Sequence, residues 1–196
     1  MSSSSASKSD AFDIAVGQIR SMTYRSELSV REIPAPEKVA PEAFALAGNL
    51  LSDENTADSP FGSGRFILLH DPESEDQWGS EFRIVTFAQA PLEVEIGEDA
   101  FLAEVTWSWL MDALENRNAR FTSPAGTATK TISSGFGSLH AQGSGAQIEL
   151  RASWTPIGGD FAAHTSAWAE LLCMLGGLPH EGEDVTSITA HKAKRD

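Results

Sequence analysis

At 196 residues the chain has the length of one domain, enough to bury roughly 70% of its unfolded surface, and its one cysteine, Cys173, excludes an internal disulfide, a disulfide scaffold and a cysteine zinc site. With 28 acidic residues against 14 basic, the net charge is -14, and most of the excess falls in residues 27–104; no basic cluster offsets it in the folded part, which excludes nucleic-acid binding through phosphate contacts. No segment reaches the ~20 apolar residues that cross a bilayer, and the Ser-rich start has no apolar signal core, so the expectation is a cytoplasmic protein with no membrane contact.

Taken in chain order, residues 1–9 read as a disordered start, residues 10–180 as a single domain and residues 181–196 as a polar tail. Phe12, Ala15, Val16, Ile19 and Met22 share one face at helical spacing, which predicts a helix over 10–22 capped by Ser9. Leu28–Ile33 alternates and predicts a strand, followed by a rigid link at Pro34 and Pro36. Pro41 suits a first helical turn, and Phe44, Ala47, Leu50 and Leu51 follow at helical spacing, so a second helix is expected there. Residues 52–64, rich in Ser, Asp, Asn, Pro and Gly, predict a loop.

Residues 65–70 and 81–90 are rich in apolar and β-branched side chains and predict an antiparallel hairpin. Trp107, Leu110, Met111 and Leu114 form the apolar face of a helix that Thr106 is placed to cap. A second strand pair is predicted over 126–133 and 146–154. In the latter, Ile148, Leu150, Ala152 and Trp154 alternate with Gln147, Glu149, Arg151 and Ser153, giving one dry and one wet face. The last helix starts at an Asp160 cap, carries Phe161, Thr165, Trp168, Leu171, Leu172 and Leu175 on its core stripe, and stops at Gly176, Gly177 and Pro179. The order α-β-α and then β-β-α twice predicts an α+β two-layer sandwich, an antiparallel sheet of about five strands with helices mainly on one face.

Candidate chemistry is sparse. His70-Asp71-Pro72 places a carboxylate beside an imidazole, and with His164 it supplies the residues a hydrolase would need. The bland alternatives are a turn fixed by Asp71 and Pro72 and a packed, hydrogen-bonded His164. No histidine pair has metal-ligand spacing, and none of the glycine clusters completes a phosphate-binding motif, so no metal and no cofactor are expected. Among the five tryptophans, Trp78 in a polar turn and Trp109 facing away from Trp107 are candidates to line an interface, unless they fold back over the core edge. Arg83, in the strand after that turn, completes the binding candidates.

His70-Asp71-Pro72, Trp78-Gly79 with Phe82-Arg83, Trp107-Ser-Trp-Leu110, Ala152-Ser-Trp-Thr-Pro156, His164 through Trp168 to Cys173, and Gly177-Leu-Pro179 together resemble an actinobacterial family of unknown function, number three-thousand in its series. The resemblance runs from about Phe12 to Pro179. It implies no activity, cofactor or catalytic residue. The leading expectation is a non-enzymatic binding or regulatory domain that meets a protein partner of basic surface through its acidic residues. The alternatives are a hydrolase using His70, Asp71 and His164, and a small-molecule binder with a pocket between sheet and helices.

Overall fold

Alternating burial over residues 82–92 and 144–156 marks two neighbouring strands of one open sheet. The computed structural model describes residues 4–51 and 58–179, with helix α1 (Ser4–Arg20), strands β1 (Leu28–Ile33), β2 (Glu42–Leu50) and β3 (Ser63–His70), the single turn α2 (Glu75–Trp78), and β4 (Phe82–Leu92). Then follow α3 (Val94–Glu98), α4 (Leu102–Asn116), β5 (Phe121–Ser134), β6 (Ser144–Pro156) and α5 (Phe161–Leu175). The strand order is β1-β2-β3-β4-β6-β5, antiparallel throughout. This is the expected α+β class with one strand more than anticipated. The polar tail 181–196 and residues 1–3 of the Ser-rich start lie outside the described residues.

The helix expected after Pro41 is instead strand β2. Phe44, Leu46, Gly48 and Leu50 face the helices, while Ala43, Ala45 and Ala47 face the other way, and the strand pairs with β1 on one side and β3 on the other. A strand buried on both faces reads as a continuous apolar run that mimics a helix, and tertiary pairing overrides the helical preference of its alanines. The start is therefore α-β-β. Two caps also differ: Ser9 lies inside α1, and Thr106 lies inside α4, buried, with Oγ1 donating to the Leu102 carbonyl at 2.8 Å. Thr165 makes the same bond to Phe161 at 2.9 Å. Asp160 does cap α5, its Oδ1 accepting from the Ala163 N–H at 3.0 Å.

The core sits between the sheet and α5. Gly48 and Gly64 lie opposite each other in β2 and β3, and this bare patch admits Leu172 and Trp168. A Cβ on Gly48 would stand 2.8 Å from Leu172 Cδ1 and 2.9 Å from Trp168 Cη2. Trp168 also meets Phe66 at 5.7 Å between rings. The alternation read in β6 holds, with Ile148, Leu150, Ala152 and Trp154 all buried beneath the helices. Helix α4 lies on β5 through Trp107, which occupies the space above Gly126, and α3 sits over Ala146 through Gly97.

Candidate functional site

His70 ends β3 on the helix-covered face, opposite Glu42 of β2 and Phe82 of β4. Its buried ring stacks on Phe82 at 4.4 Å and on Phe12 of α1 at 5.9 Å. Nδ1 lies 2.6 Å from Glu42 Oε2, and Nε2 lies 3.5 Å from Glu81 Oε2. The imidazole thus ties α1 to three strands, with both ring nitrogens facing carboxylates. Asp71 turns the other way. Its oxygens accept the Glu73 N–H at 3.0 Å and the Ser74 hydroxyl at 2.6 Å, and these bonds hold its carboxyl below the usual range.

His164, on the first turns of α5, is buried beside Trp154. The indole Nε1–H donates to His164 Nδ1 at 3.1 Å, which leaves the ring proton on Nε2, bonded to the Arg120 backbone. Burial pushes its pKa down to about 4, so the ring is neutral at pH 7. The three residues of the hydrolase reading therefore have separate partners: His70 with Glu42 and Glu81, Asp71 with its own turn, His164 with Trp154 and Arg120. They do not converge on a shared pocket among the described residues.

Trp78 and Arg83 are brought together on the opposite, open face. Arg83 Nη1 donates to Thr155 Oγ1 at 2.9 Å and to the Ser123 carbonyl at 3.1 Å, and Nη2 donates to Ser153 Oγ at 2.7 Å. Thr155 in turn donates to the Trp78 carbonyl at 2.5 Å. All three acceptors of Arg83 are uncharged, and burial lowers its pKa. Its fork clamps the irregularity in β5 between Thr122 and Ala125, where Ser123 adopts φ 51°. Trp109 is elsewhere, half-buried on α4 and packed against the core.

Two features escaped the sequence. The first is a cavity of about 70 Å³ between the α1–β1 link and α5, lined among others by Tyr24, Arg117, Glu170 and Cys173. Arg117 Nε donates to Glu170 Oε2 at 2.7 Å across it, and burial raises the Tyr24 phenol to about 12. Its one advance signal was that Tyr24 is the only tyrosine. At that volume it fits water-sized guests, far below a cofactor pocket.

The second feature is the corner formed by α3 and the start of α4. Ile96, Phe101 and Val105 are 46%, 65% and 40% exposed there. Exposed Glu93, Glu95, Glu98, Asp99 and Glu104 surround them. The acidic excess of residues 27–104 was legible, but it hid this grouping: elsewhere in that stretch Glu32, Glu27 and Asp58 are held by Arg20, Arg25 and Arg65. The exposed apolar side chains lie between the strand predicted over 81–90 and the helix face that starts at Trp107, in a segment with no periodic pattern of its own.

The model of a family described as Protein of unknown function (DUF3000) matches residues 8–186, the family that the histidine and tryptophan motifs resemble. No curated protein and no solved structure matches the chain.

Proposed function

We propose that this chain, which belongs to the family Protein of unknown function (DUF3000), is a non-enzymatic binding domain that receives a basic protein partner on the α3–α4 corner. The observation that carries the reading is Ile96, Phe101 and Val105 exposed within an acidic ring. Apolar burial supplies affinity at the centre of such a patch, and the surrounding carboxylates steer and select a partner of opposite sign. A cytoplasmic setting belongs to the same reading: the chain carries a single cysteine, Cys173, which is buried, and no described helix is long and apolar enough to cross a membrane. The hydrolase alternative draws no support from His70, Asp71 and His164, whose hydrogen bonds run to separate partners.

The test is comparative capture from a native lysate at low and at high salt. Wild-type protein is set against Phe101→Ser/Val105→Ser and against Glu95→Lys/Glu98→Lys. Circular dichroism first establishes that both variants are folded. The reading expects a set of salt-sensitive partners that wild type retains and both variants lose. A captured set that is identical for all three proteins overturns it.

A further inference from the structure

The two edges of the sheet are built differently. Strand β1 is six residues long, carries exposed Arg31 and Glu32, and runs into Pro34 and Pro36. These are the usual protections of an edge: short length, charge and proline. Strand β5, at the other edge, is 14 residues long. Its protection is confined to one end, at Pro124 and the irregularity beside Ser123. From Ala125 to Ser134 the one charged side chain is Lys130, and its amine is engaged with the Asp99 carbonyl at 2.6 Å.

The register identifies which backbone groups face outward. The Gly135 N–H bonds the Gly143 carbonyl at 3.1 Å, continuing the pairing in which Ser134 faces Ser144. In an antiparallel ladder the directly bonded residues alternate. Ser133, Thr131, Thr129 and Thr127 therefore spend their N–H and C=O groups on β6, while Ala128, Lys130 and Ile132 turn theirs to the open edge. Among the described residues no strand pairs with them. Helix α4 overhangs this edge with half-buried Ala103, Trp107 and Met111 at four-residue spacing, and Trp107 rests on Gly126 of β5.

We infer that the outer edge of β5 takes up an extended segment of the partner as a seventh strand. Main-chain bonds go to Ala128, Lys130 and Ile132, and the segment's apolar side chains lie against the Trp107 stripe. Adding a strand to a free edge beside a helix is a general mode of peptide recognition. The partner's basic character rests on the reading above, because α3 and its carboxylates stand over the Ile132 end of the strand: a Cβ on Gly97 would lie 3.7 Å from Ile132 Cγ1. A second copy of this chain is the poorer occupant. It would bring the same acidic corner and the same net charge of -14 to the seam.

The probe is a synthetic acetylated peptide of alternating valine and threonine flanked by two lysines at each end, so that in either strand direction lysine reaches the α3 carboxylates at the Ile132 end, with a second peptide in which glutamate replaces lysine. Amide hydrogen exchange is followed residue by residue on the full chain. In the free protein Thr127, Thr129 and Thr131 should exchange slowly and Ala128, Lys130 and Ile132 quickly. The lysine peptide should slow the second set, and Ala128→Pro, which removes one outward N–H at an edge position where proline is tolerated, should weaken it roughly tenfold. No slowing at Ala128, Lys130 and Ile132, including the case where Phe101 and Val105 alone respond, overturns the strand-addition inference and leaves the corner reading standing. Equal slowing by the glutamate peptide keeps the strand and overturns the basic partner. Slowing that grows with protein concentration before any peptide is added assigns the edge to a second copy and overturns the inference.

Discussion

His164 shows how a residue type associated with catalysis can be consumed by packing. It accepts the Trp154 indole proton and is buried with a pKa pushed down to about 4, whereas an unfolded chain holds the same ring near 6.5. Between those values the unfolded chain binds the extra proton and the folded one does not, so this contribution to stability is fully present above about pH 6.5 and is lost as pH falls toward 4. The total is about 3 kcal/mol. Chemical denaturation at pH 7 and pH 4.5 should show a loss in wild type that is much smaller in His164→Asn, whose side-chain oxygen still accepts from Trp154. Equal losses in the two proteins would show that carboxylates, and not His164, dominate acid sensitivity. The packed, hydrogen-bonded state of His164 was legible as the bland alternative, but the partners of His70 (Glu42, Glu81) and of His164 (Trp154, Arg120) were not, because they come from other elements.

At the scale of elements, the glycine pair between β2 and β3 fixes how closely α5 approaches the sheet. Added Cβ atoms meet different obstacles at the two positions. At Gly48 they are side-chain tips, Leu172 Cδ1 and Trp168 Cη2, whereas at Gly64 a Cβ would lie 2.6 Å from Leu172 Cδ2 and 2.7 Å from the Phe87 carbonyl oxygen. Side-chain tips turn aside; a carbonyl inside a sheet does not. Both alanine substitutions should destabilise by about 1–3 kcal/mol, with Gly64→Ala the more severe in thermal or urea unfolding. A reversed order would mean that the β3–β4 ladder yields more readily than the seat of α5. The same pair explains why β2 was misread. Gly48 is a poor residue for a helix interior, but Pro41 followed by Phe44, Ala47, Leu50 and Leu51 at helical spacing outweighs it, and only the neighbouring strands reveal that both faces are covered. Strand β6 is legible because Gln147 and Arg151 are exposed and Glu149 and Ser153 half-buried between the buried Ile148, Leu150, Ala152 and Trp154, so the alternation survives in the sequence. Strand β5 was found but started late, since Thr122 and Pro124 precede the regular part and the irregularity between them follows from the Arg83 clamp, which joins residues far apart in the chain.

At the scale of the whole molecule, the described residues gather arginines on the sheet and carboxylates at the α3–α4 corner. On the open sheet face Arg31, Arg65, Phe87 and Arg151 fall in one cross-strand row through Ala47, and Arg151 lies 5.8 Å from the Phe87 ring centroid. Exposed Glu93, Glu95, Glu98, Asp99 and Glu104 gather instead around α3 and the start of α4. Composition could show the imbalance but not this arrangement, because the arginine row is assembled from separate strands that only the sheet pairing brings side by side. Ion pairs such as Arg20–Glu32, Arg65–Asp58 and Arg151–Glu149 are surface pairs, each contributing about 0–1 kcal/mol. They neutralise few of the 28 acidic residues, so repulsion among the remainder outweighs their attraction. Both effects are screened over about 10 Å at 0.1 M salt, and the larger one sets the sign. The melting temperature at pH 7 should therefore rise as sodium chloride is increased from a few millimolar to about 0.15 M, while an equal osmolality of sucrose separates screening from solvent exclusion. A melting temperature that falls over this range would mean that the arginine pairs outweigh the acidic excess, leaving the α3–α4 carboxylates too weak a field to select a basic partner.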